Sequence, residues 1–195
     1  IFEEIFMRAA IPYKVVGGLR FYERKEVKDL LAYLRVLANP DDEVSIRRII
    51  NLPKRGIGDR ALEEVEIFAQ AQGISFWNAL LRVSEAPSVP NKAAQSIASF
   101  TSMLIALQTL VEAKTKPSVI IEAVLEQSGL LTELEASKDP QDEVRVENLK
   151  ELVSASMEYE ERPIDELGED EEISLSGFLE KVSLKLVRSL IWGLS

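Results

Sequence analysis

The sequence contains no cysteine and no histidine. Without cysteine there is no disulfide framework, no zinc–thiolate site and no thiol nucleophile. Without histidine the commonest general base and the commonest metal ligand are both missing. Serine–histidine catalysis and histidine-ligated metal chemistry are therefore excluded within these 195 residues. An excess of basic residues is also lacking: 33 acidic side chains face 23 basic ones, a net charge of −10. Any contact with a polyanion must be local. No apolar run is expected to reach the ~20 residues a membrane span requires. Ile1 to Ala10 show neither a basic start nor a cleavage site, so no signal peptide is expected. The chain opens in mid-pattern without an initiator methionine and is expected to be a piece of a larger, cytoplasmic protein. No strand-to-helix loop ends in Gly-Lys-Ser or Gly-Lys-Thr, so no phosphate-cradling P-loop lies here.

What is present is helical periodicity. Phe2, Ile5, Phe6 and Ala9 recur at helical spacing. Tyr13 to Val16 is a short β-favouring run closed by Gly17-Gly18. A lone strand is not stable by itself, so it is expected to belong to a sheet completed elsewhere. From Arg24 to Leu37 the stripe Val27, Leu30, Leu31, Leu34 and Leu37 predicts a long amphipathic helix. Asp41 or Asp42 is expected to cap the next, with Val44, Ile46, Ile49 and Ile50 inward. Helices follow over 60–71, a short one capped by Ser75, then 91–113, 117–129 and 130–136. Val144, Leu149, Leu152, Val153 and Met157 predict another over 141–161. Residues 163–172 carry six acidic side chains and Gly168 and read as a linker. Ser174 caps a last helix. The expected fold is mainly all-α: a bundle of about nine helices with a short α/β remnant at the front.

The most informative stretch is Asn51-Leu52-Pro53-Lys54-Arg55-Gly56-Ile57-Gly58-Asp59, between two helices. Pro53 interrupts any continuous helix. Gly56 and Gly58 permit backbone angles and close approaches that side chains block. Asp59 is expected to cap the following helix. Free backbone beside a helix N-terminus, with Lys54 and Arg55 adjacent, suits phosphate. The plainer reading is a tight helix–helix connection with two solvated cations, and spacing alone favours it.

Other candidates have equally plain explanations. Glu63, Glu64 and Glu66 suit the positive end of a helix dipole better than a metal. Phe21-Tyr22 precedes a charged helix start, its rings expected to tuck onto the core. Lys25 and Asp29 have the spacing of a helical ion pair. Trp77 and Trp192 are expected to be packing residues.

The segments Ile11-Pro12-Tyr13-Lys14-Val15-Val16-Gly17-Gly18, 20–29 (Arg-Phe-Tyr-Glu-Arg-Lys-Glu-Val-Lys-Asp) and 31–35 (Leu-Ala-Tyr-Leu-Arg) together resemble superfamily 1 DNA helicases of the UvrD/PcrA/Rep type. Asn39-Pro40-Asp41-Asp42, Arg48-Ile49-Ile50-Asn51 and Pro53-Lys54-Arg55-Gly56-Ile57-Gly58 continue the likeness. Arg145-Val146-Glu147-Asn148-Leu149 resembles that family's Arg-x-x-Asn-Leu helix.

The resemblance implies that residues 1–20 are the edge of motor subdomain 2A and 21–183 the helical 2B subdomain. Gly17, Gly18 and Arg20 fall at the hinge to 2A. It implies a 3′–5′ helicase as parent, acting in DNA repair or replication in the bacterial cytoplasm. Lys54, Arg55, Gly56, Ile57 and Gly58 are then the residues touching duplex DNA near a single-strand/double-strand junction. ATP and Mg would belong to the parent's motor, with no cofactor, no metal and no catalytic residue in this segment. The other partners implied are the motor subdomains of the same chain and repair or transcription proteins, with no membrane. The rival expectation is a protein-interaction or autoinhibitory lever with little DNA binding of its own. Residues 184–195 match no pattern and remain unassigned.

Overall fold

A computed structural model of the chain describes residues 19–162 and 172–192. The expected helix over 1–10, the strand at 13–16 and the hinge glycines Gly17 and Gly18 lie outside the described residues, as does nearly all of the acidic linker. Within the described residues there are ten α-helices, one 3₁₀ turn and no strand. The all-α expectation holds.

The bundle is built around α2 (Lys25–Ala38), which follows the short α1 (Leu19–Tyr22). Its stripe is wider than periodicity suggests. Ala32, Tyr33 and Val36 are buried as fully as Val27, Leu30, Leu31, Leu34 and Leu37. A helix buried on most of its circumference must be covered on several sides. Those covers are α3 (Glu43–Ile49), α6 (Asn91–Glu112), α7 (Pro117–Ser128), α9 (Pro140–Glu160) and α10 (Leu175–Trp192). Phe21 and Tyr22 are buried, as expected, their rings edge to face at 5.1 Å.

The remaining helices are α4 (Asp59–Gln72), α5 (Phe76–Leu81), the 3₁₀ turn Val83–Glu85 and α8 (Leu130–Ala136). The capping residues are those the sequence suggests in most places. Asp42 accepts from the Ser45 N–H at 3.0 Å, and Ser75 from the Asn78 N–H at 3.2 Å. Gly73 and Gly129 close α4 and α7 in the left-handed conformation. Ser174 accepts from the Gly177 N–H at 3.1 Å, and α10 then runs unbroken to Trp192, through most of the unassigned tail.

Several expectations need correction. Asp59 is not a cap: Gly58 holds that position and Asp59 is the first helical residue. Asn91 likewise opens α6, with Pro90 before it. Val44 is 82% exposed, because Ile46, Ile49 and Ile50 already fill the inward face of a seven-residue helix. On α9 the buried line runs through Asp142, Val146, Leu149, Leu152 and Tyr159, which turns Val144 and Met157 outward. Asp29 does not pair with Lys25; its carboxylate accepts from Arg48 Nε at 2.7 Å. Finally, α6 is long and apolar enough, by length and composition alone, to cross a membrane. Here Ile97, Phe100, Leu104 and Leu107 pack into the bundle while Gln95, Ser99 and Ser102 face outward.

Candidate nucleic-acid interface

The loop between α3 and α4 is held from inside by two polar side chains. Asn51 Oδ1 accepts from the Arg55 N–H at 2.7 Å and from the Ile57 N–H at 3.2 Å. One amide oxygen thus closes the loop into a hairpin and satisfies two backbone donors. Arg55 is the second brace. Its Nη1 donates to the carbonyls of Ile49, Ile50 and Pro53 at 3.1–3.3 Å. Its Nη2 donates to the Tyr33 hydroxyl at 2.8 Å and to the Ser128 carbonyl at 3.1 Å. The guanidinium also lies 5.2 Å from the Phe100 ring centroid. One cation therefore ties the hairpin to α2, α6 and α7 through a planar fork of donors.

Tyr33 completes the brace by donating to the Leu52 carbonyl at 2.5 Å. Burial pushes its hydroxyl pKa upward, with the charge and hydrogen bond of Arg55 pulling the other way. Ile57 is 1% exposed and serves as the hairpin's apolar anchor. The Leu52–Pro53 peptide bond is cis.

The five expected contact residues thus divide into two groups. Arg55 and Ile57 face the body of the protein, their backbone N–H groups taken by Asn51. Lys54, Gly56 and Gly58 are exposed. Among the described residues the N–H groups of Gly56, Gly58, Asp59 and Arg60 make no hydrogen bond. Gly58 caps α4, and Asp59 and Arg60 open its first turn, where the helix dipole is positive. Exposed Lys54 and Arg60 lie at the two ends of this row of amides. Gly56 has φ +74°, a left-handed conformation that other residues adopt at a cost. Gly58 has φ −87°, ordinary for any residue, and a Cβ there would meet nothing within 4 Å. Neither backbone nor packing requires glycine at Gly58.

Arg20, the described member of the expected hinge set, is exposed on α1. Farther along the chain, Asn148 joins α9 to the start of α2. Its Oδ1 accepts from Arg24 and its Nδ2 donates to Glu26 Oε1 at 2.6 Å. The Arg-x-x-Asn pattern flagged this residue, but no local signal named its partners, which lie more than 120 positions away. Glu66, one of the three acidic residues after the hairpin, pairs with Arg47 at 2.9 Å. No group of three or more acidic side chains placed to hold a metal occurs among the described residues. Behind the hairpin a cleft of about 360 Å³ is lined by Leu52, Lys25, Glu133 and Asp142. Within it Asp142 is paired with Arg145, and Glu26 accepts from Asn148.

The hairpin thus presents unbonded amides at a helix N-terminus, fixed on a helical body, a geometry able to accept an anion. The comparisons place it more closely. Residues 1–189 match the UvrD-like helicase C-terminal domain, and the chain belongs to that family. It is 47% identical over 191 residues to the ATP-dependent DNA helicase UvrD1 of Mycobacterium tuberculosis, covering 93% of this chain and 24% of that relative. It is 41% identical over 187 residues to the ATP-dependent DNA helicase PcrA of Staphylococcus epidermidis, covering 94% and 24%. With PcrA of Bacillus subtilis the identity is 37% over 165 residues, covering 85% and 22%. The chain spans about a quarter of the length of the curated relatives it matches.

Proposed function

We propose that this chain is the 2B accessory subdomain of an ATP-dependent 3′–5′ DNA helicase of the bacterial cytoplasm, entered from the edge of 2A. Its task is to hold duplex DNA ahead of the strand junction. The observation that carries the reading is the row of unbonded N–H groups on Gly56, Gly58, Asp59 and Arg60, with Lys54 beside it. Such groups grip phosphate oxygens without reading bases. Gly58 supports the same reading. Its lack of a side chain serves nothing inside the protein, and it keeps the approach to the amides open.

Arg55 and Ile57 have a different part in this scheme. They present the hairpin rather than touch the phosphates, since their donors and surface are spent inward. In this reading ATP and Mg belong to the parent's motor, since the sequence has no P-loop. Hydrolysis is assigned to motor subdomains of a longer polypeptide, which are also the module's first partners. Repair or transcription proteins are further candidates.

The test is a titration of the chain into fluorescent tailed duplex at low salt. A grip on about two phosphates gives a log–log salt slope near −2. Lys54→Glu should abolish binding. Gly58→Asn keeps a good helix cap, so it should leave thermal stability unchanged and weaken binding. Equal affinity for wild type and both variants sinks the proposal.

A further inference from the structure

A second surface, away from the hairpin, carries cations that the fold does not use. Lys28 and Arg35 lie two turns apart on the outer stripe of α2, with Leu31 and Ala32 between them. α3 supplies Arg48 and Val44 on one side of this stripe, and α10 supplies Leu186 on the other. Together they enclose a groove of about 240 Å³. Neither Lys28 nor Arg35 has an acceptor among the described residues. Arg48 spends Nε on Asp29 and leaves its two terminal nitrogens unbonded. No acidic residue lines this groove; Asp29, which holds Arg48, lines the other cleft.

We infer that this groove docks a short acidic–aliphatic segment of a separate partner protein. Two observations choose that occupant. The first is charge complementarity. On a chain of net charge −10, three cations with spare donors converge on one groove, and carboxylates are their natural complement. Arg35 is half-buried at the residue level and its guanidinium has no acceptor among the described residues. The second is the apolar wall. Val44 stands 82% exposed beside Leu31 and Leu186, and a phosphate backbone offers nothing to cover it. An aliphatic side chain between two carboxylates does. Lys28 and Arg35 are separated by about 10 Å along the helix axis, from a rise of roughly 1.5 Å per residue. This surface is independent of the DNA reading and survives its failure.

The experiment measures fluorescence anisotropy of a labelled Glu-Leu-Ala-Glu repeat peptide titrated with the chain. A Gln-Leu-Ala-Gln peptide and a single-stranded oligothymidylate serve as competitors. The glutamate peptide should bind and the glutamine peptide should bind at least tenfold more weakly. Lys28→Glu and Arg35→Glu should each reduce affinity about tenfold, the size of one exposed-to-half-buried charge-assisted contact. Val44→Ser, at a site that contributes nothing to the core, should reduce it a few-fold with an unchanged melting temperature. Circular dichroism confirms that each variant folds; Arg35→Gln replaces Arg35→Glu if the latter does not. The proposal is overturned if the peptide does not bind, if the glutamine peptide binds equally, or if oligothymidylate displaces it from the same residues. Self-association that Arg35→Glu abolishes, seen by sedimentation, would instead assign the groove to a second copy and also overturn it.

Discussion

The Tyr33 hydroxyl accepts a hydrogen bond from Arg55 at 2.8 Å and passes one on to the Leu52 carbonyl at 2.5 Å. This relay links the central helix to both arms of the hairpin. It makes the shape of the exposed amide row depend on a side chain that is itself wholly buried.

Tyr33→Phe keeps the ring and deletes the relay. Two polar groups, on Arg55 and Leu52, then lose a partner in a partly buried setting. The expected loss is about 1–3 kcal/mol, measured by urea denaturation. DNA affinity should fall as well, although no phosphate-contacting atom has changed. An unchanged urea midpoint would show that the relay carries no stability.

The two hairpin glycines should respond differently to alanine. Gly56 sits at φ +74°, where a Cβ is strained even with open space around it. Gly56→Ala should cost about 1–2 kcal/mol. Gly58 has an ordinary φ, so Gly58→Ala should cost only the weaker helix cap, about 0.5–1 kcal/mol, while still impairing DNA binding. Thermal melts beside the duplex titration separate the two effects.

Gly177 on α10 has a packing requirement instead. A Cβ there would stand 2.2 Å from the Tyr159 hydroxyl oxygen and 3.4 Å from its ring carbon. Gly177→Ala should destabilise the chain by about 1–3 kcal/mol. Tyr159→Phe removes the closest atom, so the double variant should recover part of that loss. A strictly additive double-mutant cycle would show that the two residues do not meet.

Acid should loosen the start of α9. A hydrogen bond from Ser137, with Arg145 beside it, holds the Asp142 carboxyl below the usual range. A lowered folded-state pKa stabilises above the unfolded value, about 3.9. That contribution is lost as pH falls through the lower, folded value. Unfolding midpoints of the wild type should therefore decline more steeply on acidification than those of Asp142→Asn. Parallel curves would remove Asp142 from the account.

The helices, most of their caps and the position of the hairpin were legible in the sequence. Each depends on local chemistry: apolar spacing in α2, Asp42 and Ser75 as caps, Pro53 and Gly56 as interruptions. Lys54 and Arg55 looked alike by the same local criteria, two cations before two glycines. Only the tertiary structure distinguished them. It turned Arg55 toward acceptors as remote as Ser128 and left Lys54 in solvent. Val144 was expected to face inward, yet it is 59% exposed and Val146 is buried instead, since composition does not say which arc of a helix its neighbours cover. Sequence specifies what each short segment can form; the fate of a charged or apolar side chain depends on acceptors and surfaces brought to it by residues far along the chain.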